Sequence, residues 1–176
     1  MGGVAKKRGR ETVRDMVFSL GAVGIVVAAM IAVAPHEETD PVRPVDYTVD
    51  LQAARRSAPY PVLAPEGLPE RWRATSVRFD GADPNATTWH LGFINPQEEY
   101  AAVEQSNGPE QGFLDEVLRG GEDDGTAVVE GEEWRRLQGD RYRGLVRQDA
   151  EGVTTAVLGT APYEQLAELA GALEHS

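Results

Sequence analysis

The side chains best suited to proton transfer or zinc binding are scarce in this chain. It has no cysteine and three histidines, of which only His90 lies within the region rich in β-forming residues. A zinc site built from histidine and cysteine is therefore not expected. No G-x-S-x-G motif accompanies His90, although a Ser-His-Asp arrangement stays open. We interpret His90 as an ordinary strand residue on a partly solvated face, and the sequence assigns no catalytic residue.

Acidic residues cluster at Glu122–Gly125, a stretch that could suggest a calcium loop. If Gly125 were the sixth residue of an EF-hand loop, Gly120 and Gly131 would occupy the first and twelfth positions, which require oxygen ligands from carboxylates. The motif therefore fails, and a solvated acidic turn is predicted instead. A glycine-rich phosphate loop is also missing after any predicted strand, so the sequence indicates no cofactor and no metal.

The best candidate for a binding site is a cluster of arginines near the C-terminal end. Five of them fall within thirteen residues: Arg135, Arg136, Arg141, Arg143 and Arg147. Guanidinium groups bind carboxylates and phosphates through paired hydrogen bonds, so the cluster could bind an envelope polymer or the acidic surface of a partner. The alternative is that these arginines pair with the surplus of acidic residues elsewhere in the chain.

An apolar segment near the N-terminus predicts where the protein resides. Met16–Ala34 contains no charged residue and no proline. As a helix its nineteen residues would be roughly 28 Å long, which matches a hydrocarbon core of about 30 Å. Bases precede the segment and acids follow it, so the positive-inside rule places the N-terminus in the cytoplasm and the bulk of the chain outside. A single-pass plasma-membrane protein is predicted.

A cleaved signal peptide is the competing interpretation of this segment. Ala32-Val33-Ala34 has the small-residue pattern of a cleavage site. The apolar run is longer than the usual core of a signal peptide, and Pro35 would directly follow the cut. We therefore expect the segment to be retained as an anchor.

The charge distribution follows this division of the chain. The formal net charge is −12, but residues 1–34 carry +3 and residues 35–176 carry −15. So acidic an exterior repels nucleic acid, which we exclude as a partner, whereas the oligomeric state stays open. The predicted regions are a basic tail (1–15), a transmembrane helix (16–34), a proline-rich acidic linker (35–45) and an extracytoplasmic domain (46–176).

The pattern of the last region predicts an α+β domain. Apolar spacing and flanking prolines predict helices at 46–58, at 113–118 and after Pro162. Alternating residues predict strands at 73–79, 87–94, 99–105, 126–129, 133–138, 142–148 and 153–158. Short connections favour antiparallel pairing. We predict a sheet of five to seven strands with helices packed on one face, and Trp72, Trp89 and Trp134 in its core.

Several motifs recur in an order that resembles a known family. They are Arg14-Asp15-Met16, Val45-Asp46-Tyr47, the proline-rich Pro61–Pro69 with Trp72, and Trp89-His90-Leu91-Gly92 followed by Glu99-Tyr100. The chain resembles the actinobacterial single-pass membrane family catalogued as domain of unknown function 4245. The resemblance covers nearly the whole chain and implies an envelope location, but it carries over no activity and no site residues.

These observations favour a membrane-anchored, non-catalytic binding or scaffolding module of the cell envelope. An envelope protein or polymer would be its partner, and the membrane would be contacted through residues 16–34. One alternative is an envelope hydrolase or transferase that uses paired carboxylates, which requires a concave pocket holding two of them. Another is a signalling accessory whose short tail contacts a cytoplasmic partner.

Overall fold

The computed structural model describes residues 16–21, 23–24 and 44–174. The chain divides into two units, Met1–Asp40 and Pro41–Ser176. Most of the predicted membrane segment and linker lies outside the described residues. Across the described part of the chain, no helix combines the length and apolar character that a membrane crossing requires. The transmembrane helix stays a prediction from the sequence.

Three helices and nine strands make up the described part of the second unit. The helices are α1 (Thr48–Ser57), α2 (Glu110–Leu118) and α3 (Tyr163–Gly171). The strands are β1 (Ala64–Pro65), β2 (Arg73–Asp80), β3 (Thr88–Ile94), β4 (Tyr100–Ser106), β5 (Gly121–Val129), β6 (Glu132–Gly139), β7 (Arg143–Gln148), β8 (Thr154–Gly159) and β9 (Leu173–Glu174). The predicted helices and strands are confirmed with ends shifted by up to three residues, except that β5 begins five residues before its predicted start. The short strands β1 and β9 were not predicted.

The acidic stretch at Glu122–Gly125 is the clearest local correction. The sequence predicted a turn there, but the stretch belongs to β5 and pairs with β6 across a β-bulge between Asp123 and Thr126. Gly125 has a φ of +90°, a backbone conformation that favours glycine. A bulged edge strand can therefore carry exposed acids that resemble a turn in sequence.

Seven strands form one antiparallel sheet in the order β2-β3-β4-β8-β7-β6-β5. Within each half of the sheet, β2 to β4 and β5 to β8, strands that are consecutive in the chain pair with each other, as short connections require. The pairing of β4 with β8 joins the two halves at the centre. A separate pair, β1 with β9, joins the arm after α1 to the C-terminal end of the chain.

Helices cover both faces of the sheet, so the prediction that they share one face is wrong. α1 and α3 pack on the face that carries Trp89, Leu91 and Val103, which we call the core face. α2 packs on the opposite face, which we call the α2 face, against Ala102 and Leu158. The reason is that β8 is buried along its whole length, so both of its faces need an apolar cover.

The proline-rich arm between α1 and β2 is fixed to the sheet by polar contacts. The indole N–H of Trp89 donates to the carbonyl of Leu63 at 3.0 Å, and the side chain of Gln105 accepts from the N–H of Leu63 at 2.8 Å. The Tyr60 hydroxyl donates to the Thr87 and Gln105 carbonyls. The three tryptophans are buried, as predicted from the sequence.

Gly159 of β8 pairs with Ala101 of β4, so a substitution there tests how closely the two strands approach. A Cβ at this position would collide with the carbonyl oxygen of Tyr100 and lie 2.8 Å from the Cα of Ala101, both of them backbone atoms that cannot rotate away. Gly159→Ala should therefore lower the free energy of unfolding by about 2–3 kcal/mol in urea denaturation. Gly112→Ala is the matched control, since a Cβ there meets nothing within 4 Å and alanine stabilises a helix by about 0.5–1 kcal/mol. Equal stabilities of the two variants would contradict the close approach.

Candidate functional site

A row of three polar side chains crosses the α2 face on consecutive strands. Ser76 lies on β2, His90 on β3 and Glu104 on β4, with His90 and Glu104 directly opposite each other in the register. His90 Nδ1 is 2.6 Å from Glu104 Oε1, and His90 Nε2 is 2.8 Å from Ser76 Oγ. The structure thus brings together one hydroxyl, one imidazole and one carboxylate in a continuous hydrogen-bonded line.

The partners of His90 define which ring nitrogen holds the proton. An ionised carboxylate can only accept hydrogen bonds, so Nδ1 donates its proton to Glu104. In the neutral imidazole Nε2 is then left as an acceptor, and the Ser76 hydroxyl donates to it. The side chains of His90 and Glu104 are only 12 % and 13 % exposed, which strengthens their charge-assisted bond compared with one in water.

A β-bulge places Ser76 on this face. Ala74 pairs with Phe93, but Ser76 pairs with Gly92, so one extra residue of β2 is accommodated between them. Strict alternation would put Ser76 on the core face with Ala74, because residues two apart share a face. The bulge reverses this and directs the hydroxyl toward His90.

Gly92 leaves the space that this arrangement occupies. A Cβ at Gly92 would collide with Ser76 Oγ and lie 3.2 Å from the Tyr100 hydroxyl oxygen. Burial, with a smaller contribution from the negative charge of Glu104, raises the pKa of Tyr100 to about 12. Any side chain at position 92 would separate these hydroxyl groups.

A cleft of about 330 Å³ opens between the His90 and Glu104 end of this row and α2. The sheet contributes one wall, α2 contributes the other, and the turn before β7 adds Tyr142. The sheet residues are Arg78, Thr88, His90, Tyr100 and Glu104, and those of α2 and its end are Phe113, Glu116, Val117 and Arg119. The volume is at the lower end of the range for sites that bind small molecules. Two carboxylates, Glu104 and Glu116, share the cleft, which is the feature that the paired-carboxylate alternative requires.

α2 is positioned by apolar contacts and by its ends. Phe113 and Leu118 are buried against Ala102 and Leu158 of the sheet. The helix ends at Arg119, whose φ of +56° is left-handed and terminates the helical hydrogen bonding. The turn brings the Arg119 side chain to the mouth of the cleft.

The five arginines of the cluster predicted from the sequence lie on both faces of the sheet and in one turn. Arg136, Arg143 and Arg147 lie on the core face, Arg135 lies on the α2 face, and Arg141 lies in the turn before β7. The three on one face are thus brought together, and the other two are separated from them. The binding role of these residues stays a prediction.

Acidic and aromatic neighbours occupy much of this cluster. Three of the arginines form ion pairs, Arg135 with Glu110 at 2.6 Å, Arg136 with Asp124 at 2.8 Å and Arg147 with Glu132 at 3.3 Å. Arg136 and Arg143 also flank the Tyr163 ring, Arg147 lies over Trp134 and Arg141 over Tyr142. These contacts fit the alternative in which the arginines pair within the domain.

The two arginines of the cleft differ from this cluster. Arg78 and Arg119 are exposed, and within residues 44–174 neither forms an ion pair with a carboxylate. The cleft therefore presents two positive groups without a direct ion pair among the described residues, and it also holds the carboxylates of Glu104 and Glu116.

Comparison with known proteins supports one assignment. A family model described as "Protein of unknown function (DUF4245)" matches residues 8–173. The chain belongs to the DUF4245 family. No curated protein and no solved structure matches this DUF4245 chain. The resemblance seen in the sequence is thus confirmed, and the actinobacterial origin and single-pass topology stay predictions.

Sequence reasoning missed Ser76 and Glu104 as partners of His90. The available signal was the spacing, since the three residues are fourteen positions apart on strands joined by hairpins. Such spacing places His90 opposite Glu104 when the turn between β3 and β4 is assigned to the residues that begin at Asn95. The bulge before Ser76 has no comparable signal, so alternation counted from Ala74 puts Ser76 on the core face, whereas alternation counted from Val77 and Phe79 puts it on the α2 face.

The raised pKa of Tyr100 predicts a loss of stability at alkaline pH. The folded domain holds the phenolic proton more tightly than the unfolded chain, whose tyrosine pKa is about 10. The contribution is therefore complete below pH 10 and decreases as the pH rises toward 12. Tyr100→Phe should flatten the fall in unfolding free energy measured by urea denaturation between pH 9 and 11.

A second tyrosine provides a comparison for this measurement. Burial also raises the pKa of Tyr60, on the core face, so Tyr60→Phe should reduce the same slope and the double variant should be flattest. A slope in Tyr100→Phe as steep as that of the unaltered protein would contradict the assignment.

Proposed function

We propose that the protein is a membrane-anchored binding module whose ligand site is the cleft beside α2. The anchor is residues 16–34, and the domain lies outside the cytoplasm on a linker that reaches roughly 35 Å. The uncharged anchor segment and the contrast between a +3 tail and a −15 exterior support this topology. The ligand is a small molecule or an exposed end of an envelope polymer that carries a carboxylate or phosphate group.

The observation that carries the binding proposal is a pair of arginines at one cleft, neither of which forms an ion pair among the described residues. Residues 35–176 carry −15, so the domain as a whole repels anions. An anion site in such a domain needs local positive charge that is not already paired. Arg78 of β2 and Arg119 at the end of α2 meet this condition, and Thr88 and Tyr142 add hydroxyl groups to the walls of the cleft.

The arginine cluster at 135–147 is a second candidate surface for a protein partner. Arg141 and Arg143 form no ion pair within the described residues, although the positive charge of Arg143 helps to lower the pKa of Asp124. We rank this surface below the cleft because three of its five arginines are already bound to carboxylates.

The proposed topology predicts how introduced cysteines react in intact cells. The chain has no native cysteine, so each introduced thiol can be followed alone. Cysteine at exposed Ser57 of α1 should react with a membrane-impermeant maleimide in intact cells. Cysteine at Ala5 in the basic tail should react only after lysis. Equal labelling at both positions in intact cells, or release of the domain into the medium, would refute a retained anchor.

The proposed ligand chemistry predicts which substitutions weaken anion binding. Calorimetric titration of the full chain in detergent would compare inorganic phosphate, citrate and a sugar phosphate, with the neutral sugar as reference. Loss of charge-assisted hydrogen bonds should weaken binding of the anions about ten-fold or more in Arg78→Ala/Arg119→Ala.

Arg56→Ala is the matched control, since Arg56 is exposed on α1 and away from the cleft. The control should bind as tightly as the unaltered protein. Preference for citrate would indicate a carboxylate ligand, and preference for the sugar phosphate would indicate a phosphorylated one. Anion binding that is unchanged in the double variant would exclude the cleft.

A further inference from the structure

We propose that Ser76 is the nucleophile of a carboxylic-ester hydrolase site, with His90 as its base and Glu104 as the residue that orients His90. This activity rests on the proposed function in one respect, since a substrate would approach from the same cleft, which His90 and Glu104 line and beside which Ser76 lies. Nothing in the family assignment provides it.

The hydrogen-bonding order matches the logic of a serine triad. The nucleophile meets Nε2 of the histidine and the carboxylate meets Nδ1, which is the arrangement that lets the imidazole remove the hydroxyl proton. The distances of 2.8 Å and 2.6 Å are within hydrogen-bond reach for proton transfer. Such sites are recognised by geometry rather than by chain order or fold.

The backbone around Ser76 is shaped to present its hydroxyl. A bulge turns the residue away from the core face, and Gly92 leaves the space into which Oγ projects. Bulges are frequent beside active sites because they redirect single side chains. Ser76 is half-buried, and it lies behind the cleft wall that its neighbours His90, Tyr100 and Glu104 form, without being one of the lining residues itself.

Tyr100 supplies a hydrogen-bond donor beside the nucleophile. Its hydroxyl group lies at the cleft wall and on the same side of Gly92 as Ser76, since a Cβ at Gly92 would contact both oxygen atoms. Burial keeps its pKa near 12, so the phenol stays protonated at neutral pH and can donate to a developing oxyanion.

The reaction proceeds in two balanced steps. Ser76 Oγ bonds to the ester carbonyl carbon while His90 Nε2 takes the hydroxyl proton, and Glu104 stabilises the imidazolium. The tetrahedral intermediate releases the alkoxide, which takes the proton from Nε2 and leaves as an alcohol. Water then attacks the acyl-serine, His90 takes its proton, and the carboxylic acid leaves as Ser76 recovers its hydrogen.

Covalent labelling tests the nucleophile in the full chain. A fluorophosphonate should form a bond between Ser76 Oγ and phosphorus with loss of fluoride, and peptide mass spectrometry locates the adduct. Ser76→Ala should lose this adduct and His90→Gln should reduce its rate of formation at least a hundred-fold. Glu104→Gln should also reduce the rate at least a hundred-fold, since its amide N–H can donate to Nδ1 and hold the imidazole in the tautomer that cannot accept from Ser76. Ser57→Ala, an exposed serine on α1, should label as the unaltered protein does.

A cysteine variant keeps the test independent of the effects of alanine on folding. Ser76→Cys in this cysteine-free chain should react with iodoacetamide at least ten-fold faster than Ser57→Cys, and His90→Gln should remove the difference. Hydrolysis of p-nitrophenyl acetate should follow the same ranking of the serine-containing variants.

Two results would overturn the inference. One is a folded chain in which Ser76 gains no phosphonate while chymotrypsin is labelled in parallel, and the other is Ser76→Cys that alkylates no faster than Ser57→Cys. Anion binding by Arg78 and Arg119 without a Ser76 adduct leaves the binding module intact and removes only the hydrolase. A Ser76 adduct without anion binding removes the ligand assignment instead.

Discussion

The pairing of β4 with β8 is the interaction on which the rest of the domain depends. Every other pairing in the seven-stranded sheet joins strands that are consecutive in the chain. Without β4–β8 the sheet would be two separate meanders, each with an open edge. Both strands are almost wholly buried, so their side chains form part of the two apolar layers at once. The missing side chain at Gly159 of β8 allows the two backbones to approach closely. Glu104 lies on β4, directly opposite His90 of β3.

The polar row on the α2 face depends on two local departures from regular strand structure. A bulge turns Ser76 toward His90, and the missing side chain at Gly92 makes room for it. Cross-strand polar pairs contribute only about 0.2–1 kcal/mol to a sheet. Apolar side chains at these three positions would give the sheet similar or better stability. The attraction within a buried ionic pair often does little more than offset the cost of desolvating its groups. Stability alone therefore gives little reason for this arrangement.

Local patterning was sufficient to predict most strands, because alternation and short turns act over a few residues. The strand at Thr88–Ile94 and the turn at Asn95 followed directly from it. The position of α2 did not, since an amphipathic segment shows that it packs but not on which face. Ser76 was missed for a related reason: one extra residue in a strand reverses the face of all that follow. The acidic part of β5 was mistaken for a turn because bulged edge strands share the composition of turns.

The two sets of arginines show why clustering in sequence is a poor guide to an anion site. Neighbours on a hairpin alternate between faces, and in a chain with a large surplus of acids most guanidinium groups find a carboxylate. An arginine whose charge is already paired must lose that pair before it binds a ligand, which cancels much of the gain. Arg78 and Arg119 are far apart in sequence and bear no such cost with respect to the described residues. Neither guanidinium has to leave an ion pair to meet a ligand, and the topology that brings β2 and the end of α2 to one cleft places both in its wall together with Glu104 and Glu116.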